Sequence, residues 1–586
     1  MLSAMAPSDR IAAVRALRDI SLLLQLKGEN AFRCRAYDVG ADRLAGLSEE
    51  LGTLVAEGKL ESLPGIGQAL AEKITELANT GRIRFLDELR AEFPPRILEL
   101  MKLPDLGPKK VAALWRELGI GDIDALEAAC HDQRVRSIKG FGPRMEEKIL
   151  AGIALYRRSG ARRRLGDVLP IAEHLQARVQ EIPGVIRASI AGSVRRFCET
   201  AADVDLIASA AEPAAVLEAF SRQPEVAQVI GSGESKCSVR LLTADLQADL
   251  RVLPDEDFAT ALHHFTGSKA HHIRLRGRAQ DRGLKISEWG VHRGEEKLPV
   301  ESEEELYALL GLQHVPPELR EDWGEVEAAI EQAIPADLIQ VADIRGNVHT
   351  HSTWSDGKNS LEEMARAAQA LGLKYLTVTE HSQSAFYAGG LKPDDLKRQW
   401  EEIDRLNSEL SGFRLLRGSE VDILESGELD FPESLLEQLD VVIASVHTRF
   451  QMDEEQMTRR VLRAFENPHL HILGHATGRL INSRDPSPMN IERILDGAAE
   501  NGVAVEVNGN PQRLDLKAEY VRLALQRRVK LVASTDAHST RELGNLRYAV
   551  GTARKGWARK SDVLNTLPAE AFVSELKGRR RAVKAN

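Results

Sequence analysis

Over residues 1–160 apolar positions recur at helical spacing between Gly-centred turns, with few β-branched runs, which predicts helices throughout. From about residue 168 the pattern changes. VIRASIAGS, VDLIA, CSVRLLTADLQADLRVL and LKISEWGVH read as strands, and PIAEHLQARVQEI and AAVLEAFSRQ as helices, so this part is α+β. An acidic, Pro-containing stretch, HVPPELREDWGEVEAAIEQAIPADLI, reads as a linker with one helix. After it, short apolar runs each end in a polar cluster: RGNVHTHSTWSDG, YLTVTEHS, LLRGSEVD, VVIASVH, HILGHA, VAVEVN and KLVASTDAH. Helix-length amphipathic stretches separate them, the βα alternation of a parallel sheet or barrel. The terminal KGRRRAVKAN reads as a solvated basic tail.

A chain of 586 residues is too long for one core, so several domains are expected. The hydrophobic share of 43% and charged share of 28% are ordinary for a soluble globular protein. No run approaches the ~20 apolar residues of a membrane span, and MLSAMAPSDRIAAVRAL looks like a helix opening rather than a targeting signal. The cysteines Cys34, Cys130, Cys198 and Cys237 are scattered, as reduced thiols of a cytoplasmic protein would be. The net charge of −10 is uneven. The N-terminal part up to Arg162–Arg163–Arg164 is basic and suited to a phosphate backbone, whereas the remainder is acidic, as a carboxylate-rich metal protein would be.

An internal repeat lies in the helical part. Leu63–Pro64–Gly65–Ile66–Gly67, Leu103–Pro104–Asp105–Leu106–Gly107 and Ile138–Lys139–Gly140–Phe141–Gly142 each precede a helix start. Glycines permit a tight turn and close approach, and amides at the following helix start face a phosphate. One such turn also occurs in ordinary αα-hairpins. Three in succession look like helix–hairpin–helix modules, which implies sequence-independent binding to DNA.

In the α+β part, Asp203 and Asp205 share one face of a strand, and Asp249 lies opposite Leu246, Ala248, Leu250 and Val252 on another. Close carboxylates repel unless a cation lies between them, and three of them suit Mg²⁺ completed by substrate phosphates. A lone Asp-x-Asp is often only a surface feature. The preceding Gly192-Ser193-Val194-Arg195-Arg196 strengthens the reading, since it offers an amide, a hydroxyl and a guanidinium fork to a polyphosphate. In the βα part, His349, His351, Asp356, His381, Glu420, His447, His475, Asp536 and His538 fall at strand ends, where barrels build active sites. Mixed imidazole and carboxylate donors point to a multinuclear centre of Mn²⁺, Zn²⁺ or Fe²⁺. His469 and His471 are excluded as core or outer-face residues.

These features together resemble the bacterial family X DNA polymerases. Gly192-Ser193 with Arg196, the Asp203/Asp205/Asp249 triad and Phe265-Thr266-Gly267-Ser268 resemble that family's palm and thumb. His349-x-His351, Thr379-Glu380-His381 and Asp536-x-His538 resemble its polymerase-and-histidinol-phosphatase (PHP) domain. The resemblance implies helix–hairpin–helix domains at 1–85 and 86–165, a nucleotidyltransferase palm at 166–256, a thumb at 257–316, a linker at 317–340 and a distorted PHP βα barrel at 341–575. It implies two Mg²⁺ ions on the Asp triad, nucleotide contacts from Gly192, Ser193, Arg196 and Phe265 to Ser268, and DNA contacts from Gly65, Gly67, Lys73, Gly107, Gly140, Gly142 and Lys236. It further implies up to three Mn²⁺ or Zn²⁺ ions in the barrel. The first would take His349, His351, Glu420 and Asp536, the second Glu420, His447 and His475, and the third Asp356, His381 and His538. The implied function is filling of short gaps during DNA repair, with a 3′–5′ exonuclease, by a monomer that takes deoxynucleoside triphosphates and gapped or nicked duplex. His264 stands where the family often has Tyr, and His272 where vertebrate members have Asn. Ala69 stands where lyase-active members have a second lysine, so Lys73 reads as a phosphate contact. The alternatives are a histidinol-phosphatase-like phosphoesterase with a DNA-binding extension, and a non-catalytic scaffold at DNA ends.

Overall fold

The computed structural model describes residues 8–45, 51–103, 105–159, 162–242 and 246–585. Met1–Pro7 of the helix opening and Pro104 of the second hairpin lie outside them. The N-terminal region is helical, as its periodicity predicts. Leu17, Ile20 and Leu24 of helix Ser8–Lys27 belong to the same buried cluster as Ile149 and Ile153 of helix Pro143–Ser159. The two helical regions therefore bury one shared core.

The hairpins fold alike. Ile66, Leu106 and Phe141 donate their amides to Leu63, Leu103 and Ile138 at 3.0, 3.4 and 2.9 Å, closing each turn. Gly65 and Gly140 hold φ of 88° and 91°, and Asp105 fills the same left-handed place at 61°, which Asp tolerates better than most residues. Gly67 and Gly107 then cap helices Gln68–Thr80 and Pro108–Leu118.

The palm sheet runs Val185–Ile190, Asp203–Ala210, Gln247–Leu253, Lys236–Leu241, Val226–Ser232 in spatial order. Its central pair is parallel and sets Asp205 beside Asp249. The thumb follows, with helices Phe258–Thr266 and Lys269–Gln280 and a small antiparallel sheet. The stretch expected as a linker, 317–340, is instead packed. Leu319, Val326, Ala329, Ile334 and Leu338 join the thumb core, because their spacing gives this acidic segment an apolar face.

Arg320 and Glu303 lie buried at the junction of palm and thumb. Glu303 Oε1 accepts from Arg320 Nη1 at 2.5 Å and its Oε2 from Arg195 Nη2 at 2.6 Å. Burial alone would raise the Glu303 carboxyl, but the two guanidinium groups hold it far below the usual range. Removing one partner strands buried cations, so Glu303→Ala is expected to destabilise the thumb by about 3–5 kcal/mol. Urea unfolding followed by thumb-specific hydrogen exchange measures this, and Glu303→Gln should cost less because it keeps hydrogen-bond acceptance.

Residues 346–534 form a seven-stranded parallel sheet in sequential order, from Gly346–Asn347 to Leu531–Ser534. A parallel bridge between Thr350 and Ala537 brings the first and last strands together and nearly closes the barrel. The expected basic tail is part of helix Ala569–Ala585. Phe572 and Leu576 pack beneath the barrel, and Arg580 Nη2 donates to the Phe465 carbonyl at 2.6 Å. Helical spacing of residues 572, 576 and 580 puts all three on one inward face. Helix Leu546–Lys555 joins barrel to palm. Gly551 lies under the Phe197 ring, which a Cβ there would meet at 2.2 Å.

Candidate active sites

Eight of the nine barrel ligands expected from the sequence lie on or just beyond the carboxyl end of a strand, and Asp356 lies farther along the loop that follows Gly346–Asn347. His349 and His351 follow Gly346–Asn347, His381 follows Tyr375–Val378, and Glu420 is within Arg414–Asp422. His447, His475, Asp536 and His538 follow their strands by two to four residues. Glu420 sits at the centre, fully buried. Its Oε1 faces His475 Nε2 at 2.8 Å and His447 Nε2 at 3.2 Å. Its Oε2 faces His381 Nδ1 at 2.9 Å, His349 Nε2 at 3.4 Å and His351 Nε2 at 3.6 Å. Asp536 Oδ1 lies 3.7 and 3.5 Å from His349 and His351, and Asp356 Oδ1 lies 3.3 and 3.7 Å from His538 and His381.

The donors suit metal ions. Nε2 of His349, both ring nitrogens of His351, Nδ1 of His381 and Oε2 of Glu420 are buried and make no hydrogen bond, a costly state unless a further partner binds. Donor atoms converge within 4.8 Å in four groups: His351, Asp356, His381 and His538; His349, His351 and Asp536; His349, Glu420 and His475; His381, Glu420 and His447. His447 and His475, which the family resemblance assigns to one ion, both face Glu420 Oε1, while their converging donor sets fall in two groups. Burial pushes the His351 imidazole down to about 3, helped by His381 and His538, and so keeps it in its neutral, ligating form. At His447 burial opposes protonation, but Glu420 and Asp422 outweigh it and push the imidazolium up to about 10. A divalent cation would neutralise that same carboxylate field.

Three supporting carboxylates escaped the sequence reading. Glu506 Oε1 pairs with His349 Nδ1 at 2.7 Å, and Asp422 Oδ1 pairs with His447 Nδ1 at 2.5 Å. Glu380 accepts from the Ser352 amide at 3.0 Å and from the Ser355 hydroxyl, pinning the loop that carries His351 and Asp356. A signal existed, because Asp422 lies two residues from Glu420 on the same strand and Glu506 interrupts an apolar run. Such partners fix the ring orientation and tautomer of a ligand. Glu506→Gln is therefore expected to weaken barrel metal binding or activity about 10–100-fold, measured by metal titration of the chelated protein.

In the palm, Gly192 holds φ of 62° and a Cβ there would lie 2.1 Å from Asp205 Oδ2, so only glycine lets this turn approach the carboxylate. Burial, then Asp203 and Asp249, push the Asp205 carboxyl up to about 6. For Asp249 burial is outweighed by Lys236, Gln247 and Ser238, and its carboxyl falls below the ordinary value. Lys236 Nζ sits 2.6 Å from Asp249 Oδ2. Among the described residues only barrel donors converge within 4.8 Å in groups of three or more, so the palm triad is more open than the barrel centre. A mutual charge penalty at Asp205, offset at Asp249 by an ammonium, fits a cation-binding triad.

Arg196 is committed elsewhere in this structure. Its Nε donates to Glu321 at 3.0 Å and its Nη1 to the Thr266 carbonyl, while Lys555 of the barrel helix pairs with Glu321 at 2.6 Å. Phe265 lies under Arg251 at 4.1 Å, and Ser268 caps the next helix by accepting from the His271 amide at 3.3 Å. His264 Nδ1 and His272 Nε2 stand 3.2 Å apart, and His271 is buried between Glu325 and Tyr307. His471 accepts from the Val442 amide at 3.0 Å and lies outside the metal centre. In the N-terminal region Lys73 lines a groove with Glu72, Glu76, Arg84, Phe85 and Glu88, and donates to the Ala69 carbonyl at 3.2 Å.

Known families match in the same order as these parts. Residues 10–83 match a helix-hairpin-helix domain, 97–154 a SAM-like helix-hairpin-helix tandem, 261–321 the DNA polymerase beta thumb and 347–510 the PHP domain. The DNA polymerase/3′-5′ exonuclease PolX of Bacillus subtilis (strain 168) is 40% identical over 555 residues, which span 94% of this chain and 96% of that protein. The chain belongs to the PolX family. Shorter relatives include a probable phosphatase of Thermoanaerobacter sp. (strain X514), 30% identical over 38% of this chain and 89% of its own length. Another, from Aliivibrio fischeri, is 30% identical over 38% and 88%. The PolX relationship thus covers hairpins, palm, thumb and barrel together, whereas the phosphatases share little more than one third of the chain.

Proposed function

We propose that the chain is a DNA polymerase that fills short gaps in duplex DNA at its palm and removes nucleotides from 3′ ends at its barrel. The observation that carries this is the presence of two separate acidic centres, the Asp203/Asp205/Asp249 triad and the cluster around Glu420, in a chain related over nearly its whole length to a polymerase/3′-5′ exonuclease. Asp203, Asp205 and Asp249 would hold Mg²⁺. His349, His351, Asp356, His381, Glu420, His447, His475, Asp536 and His538 would hold up to three Mn²⁺ or Zn²⁺ ions. The ions supply Lewis-acid activation of an oxygen nucleophile and neutralise charge developing on phosphate.

The protein's own groups do the positioning. Ser193 and the amides around Gly192 bind the triphosphate, and Arg196 joins them by exchanging Glu321, which keeps Lys555 as its partner. Lys236, which stands on Asp249 in this structure, would reach the primer phosphate. Phe265, Thr266, Gly267 and Ser268 pack under the sugar and base. The hairpins at Gly65, Gly67, Gly107, Gly140 and Gly142 grip the DNA backbone, with Lys73 on a phosphate, so a monomer meets both sides of a gap.

The test is a gapped duplex incubated with the metal-stripped protein and graded Mg²⁺ or Mn²⁺. Extension should need deoxynucleoside triphosphates and a divalent ion, and 3′ shortening should need only the ion. Neither reaction with any divalent metal would overturn the reading. The probable-phosphatase relatives favour a second one, and phosphate release from histidinol phosphate faster than 3′ shortening would establish it.

A further inference from the structure

Phe386 and Tyr387 are 83% and 60% exposed, side by side on the loop that follows His381. Large aromatic rings held out in water commonly mark a binding surface. The loop is fixed by its backbone. Leu391 donates to the His381 carbonyl at 2.8 Å, Gly390 to Ala385 at 3.1 Å and Ala388 to Ala385 at 2.9 Å. Ala385 and Ala388 are buried, and a Cβ on Gly390 would strike the Ser382 carbonyl at 2.0 Å. The rings are thus displayed from an anchored loop, with centroids 5.9 Å apart and planes at 78°.

That loop is tied to the barrel centre from both sides. Ser384 donates to Asp422 Oδ2 at 2.8 Å, and Asp422 in turn orients His447. A Cβ on Gly389 would lie 3.3 Å from the carbonyl of Ser355, the residue before Asp356. The Tyr387 hydroxyl lies within the field of Asp422, Glu420, Asp356 and Arg513. Arg513 Nε stands 3.2 Å from Asp536 Oδ2, while its Nη1 is buried without a hydrogen-bond partner. Arg484, stacked on Phe450 at 4.3 Å, feels both Tyr387 and Asp105 of the second hairpin. Arg144 of the third hairpin reaches Gln451 at 3.1 Å. The helix that follows the third hairpin therefore touches the barrel loop beyond His447.

We propose that Phe386 and Tyr387 are a stacking platform for the unpaired terminal bases of a DNA 3′ end, with Arg513 on its phosphate. This rests on the nuclease reading. Every base has a π-face, so the platform is indifferent to sequence. Phe386 and Tyr387 are positioning residues; the chemistry stays with the metal ligands and their carboxylates.

The experiment compares a single-stranded oligonucleotide with one whose two 3′-terminal residues are abasic, using wild type and F386A/Y387A full-length protein. Stacking contributes about 1–3 kcal/mol per base, so the double variant should raise KM for the normal oligonucleotide about 5- to 150-fold per base lost, with kcat unchanged. It should also lose the preference for normal over abasic ends, and F386W/Y387W should restore it. Palm-directed extension should stay at the wild-type level, which reports on folding. Equal KM for both oligonucleotides with wild type, or an unaltered preference in F386A/Y387A, overturns the platform alone. No shortening by wild type overturns the nuclease reading and the platform with it.

Discussion

Glu420→Ala is expected to abolish 3′ shortening while leaving gap filling intact. Its two oxygens face different imidazoles, His447 and His475 on one side and His349, His351 and His381 on the other. No other carboxylate in the barrel is shared in this way among the described residues. The loss should exceed the roughly 10–100-fold effect of an outer partner such as Glu506. Glu420→Gln keeps size but not charge, so it should also fail, with most of the fold preserved. Metal content after dialysis, read beside the nuclease rate, separates loss of ions from loss of fold.

The second large effect is at Asp205. Its carboxyl is disfavoured by burial, by Asp203 and by Asp249, a cost that folding alone does not explain. Such strain persists where binding needs it. Asp205→Ala removes a carboxylate from the triad and with it several kcal/mol of charge stabilisation in phosphoryl transfer, so extension should fall by about 10²-fold or more. Thermal stability should hold or rise, because a buried like charge is gone. Unchanged extension in Asp205→Ala would remove the palm from the account.

Much of this architecture is legible in the chain because the signals are local. Asp203 and Asp205 share a face by the two-residue period of a strand, and the barrel ligands close apolar runs that parallel strands must end in the same direction. The hairpins are legible because Gly65 and Gly140 mark left-handed turns, although Asp105 hides the same turn in the second. What stayed hidden depends on partners far along the chain. Nothing near Arg196 announces Glu321 and Lys555, which come from thumb and barrel. Acidic composition masked the apolar face of 317–340, and a run of arginines masked the helix that carries Phe572, Leu576 and Arg580 into the barrel floor. Glu506 and Asp422 were missed because a supporting carboxylate looks like any other until its imidazole is located.

The central claim is that one chain carries two chemically independent centres. It is tested most directly by following extension and 3′ shortening of one gapped duplex with wild type, Asp205→Ala and Glu420→Ala in the same Mn²⁺ buffer. Asp205→Ala should shorten but not extend, and Glu420→Ala should extend but not shorten. Loss of both reactions in either variant, with the fold intact, would contradict it.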